Sequence, residues 1–265
     1  DYNATTPVDP RVAAVIFDCL SVEFGNPSSI HAYGESAHAA LERARGQIAS
    51  LIGAKDSEIV FTASGSEADA LAIRGTFLSA LADGRPHSHM ITQVTEHPAV
   101  LAACRELEDV HGVAVTYLLV SKSGRFDPAH VEKALTSETF LISIMHANNE
   151  IGTIQPIARI SAIARKHGVF MHCDAAQSIG KIPVEVSDLG VDMLTIVGHK
   201  MYAPKVLSSL FFFFFFLLQS FIFFFFLYIF LLAFTYIFPY SFFFVFSSFL
   251  FYFSLSIFLF FFFFS

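Results

Sequence analysis

Four polar clusters in this chain stand where short apolar runs end. Lys200 follows DMLTIV (192 to 197) within TIVGHKMYAPK, and Asp174 follows VFMHC (169 to 173) within HCDAAQSIGK, with Gln177 three residues on. His97 closes a third run in TEHPAV (95 to 100), and Asn148, Asn149 and Glu150 follow a fourth in HANNEIGTIQP (146 to 156). A further stretch, TASGSEADALAIRG (62 to 75), sets Ser64 and Glu67 at capping-box spacing, so a helix begins near Gly65 with backbone N–H groups free to bind an anion. The set holds an amine nucleophile, a carboxylate, a flat titratable ring and an anion cradle. Singly, each has a plainer explanation: a solvated loop lysine, a helix-capping aspartate, a structural histidine, an ordinary capped helix.

Together they suit one cofactor class. An aspartate against a pyridinium nitrogen keeps it protonated, which makes pyridoxal 5'-phosphate an electron sink, and Gln177 is placed to donate to the ring's phenolic oxygen. The ring of His97 is suited to stacking and to proton transfer. Asn149 and its neighbours offer hydrogen bonds to a cofactor or a substrate carboxylate. Phosphate belongs at the helix start near Gly65.

These groups need a scaffold that brings strand ends together. EIVFT (58 to 62), HMITQVT (89 to 95), VAVTYLLV (113 to 120), FLISIMH (140 to 146), VFMHC and DMLTIV are rich in β-branched residues and read as strands, most with helical patterns between them. In ESAHAALERARGQIASLIGA the residues Ala37, Leu41, Ala44, Ile48 and Leu51 form one apolar stripe, and Gly53 stands where a helix C-cap is expected. Asp127-Pro128 and His97-Pro98 are helix-start signals. Alternating strands and helices predict an α/β fold with a mostly parallel sheet covered on both faces, whose ligands lie at the C-terminal strand ends.

The 265 residues carry a net charge of −7, and every Lys, Arg, Asp and Glu lies at or before Lys205. No basic cluster tracks a phosphate backbone, so nucleic acid is excluded as a partner class. Cys19, Cys104 and Cys173 show no CxxC spacing, which points to neither a metal nor a disulfide framework, and a reduced intracellular compartment follows. Cys173 reads as a small buried hydrophobe; a metal site with His172 is disfavoured because adjacent strand residues face opposite ways. No targeting pattern is visible, and the chain opens on DYNATTPVDP without a methionine, so the N-terminus reads as incomplete and the organelle is undetermined.

Most of the 34 phenylalanines lie beyond residue 210. Residues 206 to 265 are uncharged and long enough for about two bilayer crossings. They lack the basic flanks and tryptophan of a membrane segment beyond Lys205. Phe, Leu, Ser, Tyr, Ile and Val share pyrimidine-rich codons, and valine codons begin GT, as introns do. The tail is therefore read as translated non-coding sequence, and the domain as residues 1 to 205.

Seven stretches, DYNATTPVDP, FGNPSSIHAYG, EIVFTASGSEAD, TEHPAV, NNEIGTIQPI, DAAQSIGK and TIVGHKMYAPK, resemble in that order the cysteine desulfurase and selenocysteine lyase family of pyridoxal-phosphate enzymes. The resemblance implies the large cofactor domain of the aspartate aminotransferase-like, class V fold. It further implies that Lys200 holds the cofactor covalently, with His199 near the phosphate and His97 stacked on the ring. Asp174 would pair with the pyridinium, Gln177 with the phenolic oxygen, Asn149 with cofactor and substrate, and Gly65 and Ser66 with the phosphate. The reaction implied converts L-cysteine or L-selenocysteine to L-alanine through a mobile cysteine thiolate, in a homodimer, with a sulfur-acceptor protein as a further partner. Departures are Val197 where many members have Ser, Ser64 in place of a Gly, and Asp69-Ala70 in place of an Asn pair. The persulfide cysteine and the substrate-clamping arginine have no counterparts, so the chain reads as incomplete and inactive alone. A class V aminotransferase and a non-catalytic, membrane-tethered isoform are the competing expectations.

Overall fold

The computed structural model describes residues 1–205 and 207–213. Each of the six expected runs forms a strand: β1 (Ile59–Thr62), β2 (His89–Gln93), β3 (Ala114–Leu118), β4 (Thr139–Ser143), β5 (Phe170–Asp174) and β6 (Met193–Val197). A seventh, β7 (Ser208–Phe212), lies beyond the boundary drawn at Lys205. The sheet order is β1-β7-β6-β5-β4-β2-β3. Pairings among β2 to β6 are parallel, while β7 runs antiparallel between β6 and β1.

Composition alone placed Ser208 to Phe212 in an aberrant tail, yet the slot needs only a short β-capable segment with apolar groups on both faces. Leu210 packs into the core on one side of the sheet and Phe211 into the core on the other. Residues 206 and 214 to 265, with their expected non-coding or membrane character, lie outside the described residues. Among the described residues no helix is long and apolar enough to cross a membrane.

The helices are α1 (Pro10–Ser21), α2 (Ala32–Ile52), α3 (Gly65–Ala82), α4 (Pro98–His111), α5 (Pro128–Ala134), α6 (Ile157–Lys166) and the short α7 (Val186–Leu189). Their starts follow local chemistry. Asp127 accepts from the N–H of Ala129, and His97 from that of Ala99, each before a proline that needs no donor partner. Gly53 ends α2 in the left-handed region at φ 68°, a conformation that suits a residue without Cβ. In the last turn of α2 it is Ile52, fully buried beside Ala49 and Ile59, that meets the core, while Leu51 is 41% exposed. An i+3 and an i+4 step from Ile48 fit the same stripe equally well, and contact with β1 selects the second.

Two cores flank the sheet. Ile91, Ile142, Met171, Cys173, Leu194 and Ile196 face one side with Val131 of α5 and Ile160 of α6. Met90, Leu141 and Met193 face the other with Ile73 of α3 and Val100 of α4. Strand alternation then sends Ser143, His172, Asp174 and Thr195 to the α3 side, next to the apolar layer and toward the C-terminal strand ends.

Candidate active site

A cleft of about 640 Å³ opens at those strand ends, bounded by the start of α3, the loops after β2 and β4, the ends of β5 and β6, and the N-terminal segment. Gly65, Ser66, His97, Asn149, Asp174, Gln177, His199 and Lys200 all line it, so the eight positions singled out in the sequence come together. Val197 and Asp69 are also in the lining.

At the start of α3, Ser64 accepts from the N–H of Glu67, and Glu67 reaches back to the N–H of Ala63 rather than to that of Ser64. The first intrahelical bond runs from Ala68 to Ser64, which leaves the N–H groups of Gly65 and Ser66 ahead of it at the positive end of an 18-residue helix. Gly65 is required by space. A Cβ there would lie 2.6 Å from Cγ2 of Val197, the residue that replaces a polar one in the resemblance.

Asp174 is buried and accepts from the N–H of Ala176 at 2.9 Å, so it caps the following turn as the plainer reading held, and it also faces the cleft. Burial raises its pKa, opposed by that N–H and by the charges of His97 and Lys200. Behind it lies a polar layer. His172, fully buried, bonds Ser143 Oγ through Nδ1 at 2.9 Å and Thr195 Oγ1 through Nε2 at 3.0 Å, and burial pushes its pKa down to about 3. The imidazole is neutral. Asp69 Oδ1 stands 3.8 Å from His172 Nε2 without a hydrogen-bond partner among the described residues, and burial and then Asp174 push its pKa well up. Glu96 accepts from the N–H of Met145 at 2.7 Å, tying the loop of His97 to that of Asn149, and burial brings its pKa to about 8.

Asn148 and Asn149 divide the work of their loop. Asn148 is spent on structure, donating to Thr95 O and accepting from the N–H groups of Glu150 and Ile151. Asn149 is left to face the cleft.

Lys200 Nζ donates to the carbonyls of Asn3 at 2.6 Å and Ala4 at 2.7 Å. Burial lowers its pKa, Lys181 lowers it further, and Asp174 opposes both. His199 Nδ1 meets Thr5 Oγ1 at 3.2 Å, and its carbonyl accepts from the N–H and hydroxyl of Thr6. Burial and then Lys200 lower the His199 pKa. Tyr202 just beyond takes φ 66°, costly for a residue with a side chain, and is held by bonds to Thr6 and Asp9. The N-terminal segment has no role that its own sequence declares, and in the fold it clasps the lysine turn. Its signal was the run of small polar residues in NATT, which becomes informative only when residues about two hundred positions away are placed beside it.

Cys173 and Cys104 are buried, their thiols pushed well up and up to about 12 respectively, chiefly by burial, and Cys19 is exposed on α1. None of the three lines the cleft.

The sequence pattern of the family described as Aminotransferase class-V matches residues 1–212. The chain belongs to that family. Its members depend on pyridoxal phosphate. The match continues through β7, as the sheet does. The chain is 47% identical over 211 residues to the cysteine desulfurase IscS of Dictyoglomus turgidum, covering 80% of this chain and 52% of that one. It is 48% identical over 214 residues to the IscS of Pectobacterium atrosepticum, with the same coverage. Among solved structures, SspA in complex with cysteine superposes with a TM-score of 0.76 at 43% identity, covering 80% of this chain and 60% of that one. The chain spans about half the length of the curated relatives it matches.

The cleft fits the cofactor on its own chemistry. It offers a buried carboxylate and an amine in one lining, a glycine held to its size by a neighbouring valine beside an open helix start, and an imidazole at the rim.

Proposed function

We propose that this chain is the cofactor-binding part of an enzyme that removes sulfur, or selenium, from L-cysteine or L-selenocysteine to leave L-alanine. The observation that carries the reading is the meeting of Lys200, Asp174, His97, Gln177 and the α3 start around one cleft.

Bound pyridoxal 5'-phosphate supplies an electron sink for the bonds at the amino acid's Cα. Asp174 would hold the proton of the ring nitrogen, and that positive partner would offset the burial that raises the carboxyl's own pKa. Gln177, one of whose amide N–H groups is given to the Asn3 carbonyl, would donate the other to the phenolic oxygen. Gly65 and Ser66 present backbone N–H groups to the phosphate, joined by His199. His97 would lie against the ring and would carry a proton to or from the substrate. Lys200 is the amine that attaches the cofactor, and its lowered pKa increases the neutral fraction able to do so. Asn149 holds the substrate end of the cleft.

Sulfur transfer further requires a thiolate nucleophile and a cation for the substrate carboxylate, and we place both in the half of the family length that this chain does not span. On the family pattern the complete protein is a homodimer that passes sulfur to an acceptor protein. The free thiols support a reducing compartment. A direct test joins residues 1–212 to the C-terminal half of the Dictyoglomus turgidum relative and supplies cofactor, L-cysteine and excess dithiothreitol, which reduces the persulfide sulfur to sulfide. Alanine and sulfide in equal amounts are expected. A keto acid in place of alanine would assign the chain to transamination instead.

A further inference from the structure

Lys181 lies outside the cleft lining yet binds two of the groups that shape it. Its Nζ donates to Gln177 Oε1 at 2.7 Å and to Asn3 Oδ1 at 3.1 Å. Asn3 is in turn a hub, since its carbonyl accepts from Gln177 Nε2 at 2.9 Å and from Lys200 Nζ at 2.6 Å. Two ammonium groups and one amide therefore converge on a single asparagine.

We propose that Lys181 is a positioning residue of this site: anchored on Asn3 and Gln177, its ammonium fixes which end of the Gln177 amide faces the cleft and keeps a second positive charge beside the Lys200 amine. This rests on the cofactor reading above for its consequence, though not for its geometry.

The first effect follows from donor counting. An ammonium has no acceptor, so the amide end that meets it must be the oxygen, and the NH2 end is turned away toward Asn3 and the cleft. Only that orientation gives Gln177 a donor for an anionic phenolic oxygen. The Asn3 carbonyl already opposes a flip, which would set two oxygens against each other, and Lys181 adds a second penalty by meeting the amide NH2 with a donor.

The second effect is electrostatic. A cation beside an amine favours the amine's neutral form, which is the nucleophile. The other ionisable groups lining the cleft are Asp1, Asp69, Glu150, Asp174, His97, His199 and Lys205. Asp174 acts on Lys200 in the opposite sense to Lys181. Removing Lys181 therefore leaves burial alone to oppose the carboxylate, and the lysine holds its proton to higher pH. Both lysines are partly in solvent, which screens the pair, so the expected shift is about half a pH unit.

The test measures the pH dependence of Lys200 modification in the whole 265-residue chain, in native protein and in Lys181→Met and Lys181→Arg. Acetic anhydride reads the amine without any cofactor, and pyridoxal 5'-phosphate trapped by borohydride reads capture. The Lys181→Met midpoint should rise by about half a unit with anhydride, and cofactor affinity should fall about five-fold, the factor of one lost hydrogen bond. Lys181→Arg should restore the midpoint. A merely structural lysine would lower Tm and the extent of labelling while leaving the midpoint in place, and that result overturns the proposal. If Lys181→Met does not fold, Lys181→Gln, which keeps a donor without the charge, gives the same comparison. Loss of cofactor trapping with the anhydride shift intact would refute the cofactor reading and leave the role of Lys181 standing.

Discussion

Gly65→Ala isolates the closest packing in the site. The added Cβ would lie 2.6 Å from Val197 Cγ2, well inside the contact distance of two carbons, and the opposing atom belongs to a β-branched side chain with few rotamers to escape into. The start of α3 is pinned by the Ser64 and Glu67 caps, and Val197 by pairing with β7, so neither side can retreat freely. Overpacking of one methyl in such a place costs about 1–3 kcal/mol. For a domain of this size each kcal/mol lowers Tm by about 2–4 °C. Val197→Ala alone leaves a small void and costs on the order of 1–2 kcal/mol. The double variant Gly65→Ala, Val197→Ala should recover most of the first loss, because the space vacated is the space required. Urea denaturation of the four proteins gives the cycle, with a coupling of at least about 1 kcal/mol expected. Simple additivity of the two losses would refute the claim that Val197 is what holds this position to glycine.

Glu96 should make stability fall with rising pH. Its folded pKa of about 8 lies above the ordinary carboxyl value, so its contribution is complete below about pH 4.5 and is lost as pH climbs through 8. Asp69 acts in the same sense, and Glu96→Gln should flatten, though not abolish, the slope of Tm between pH 5 and 8. Asp174→Asn keeps an oxygen for the Ala176 N–H but removes a buried charge, so Tm without cofactor should stay level or rise while cofactor retention falls, as equilibrium dialysis would show. In native protein iodoacetamide should modify Cys19 alone of the three thiols, with Cys104 and Cys173 reacting only after unfolding, a pattern read by peptide mass spectrometry.

The strands of the parallel sheet were legible because most are short apolar runs with β-branched residues and a turn residue at one end or both, and the capped starts of α3, α4 and α5 could be read from two or three residues each. The cleft residues were legible for a related reason: a parallel sheet gathers the residues that follow its strands. β7 was hidden by composition, since Ser208 to Phe212 belong to a monotonous segment whose fitness for the slot depends on the unpaired edges of β1 and β6. Asn3, Lys181 and the Asp69–His172 layer were hidden for another reason. Their roles exist only through partners brought in by folding, and nothing in their spacing distinguishes them from solvated or core residues. Of the α2 stripe, Ala37, Leu41, Ala44 and Ile48 are half-buried and Ile48 packs on the core, while at its last position one step along the helix separates exposed Leu51 from buried Ile52.

The central claim is that the Lys200 amine and the Asp174 carboxylate serve one bound ring. Incubating the chain with pyridoxal 5'-phosphate, reducing with borohydride and mapping the pyridoxyl group by peptide mass spectrometry tests it most directly. The account predicts the label on Lys200, greatly reduced in Asp174→Ala. A label on other lysines with Lys200 unmodified, or none in folded protein, would contradict it.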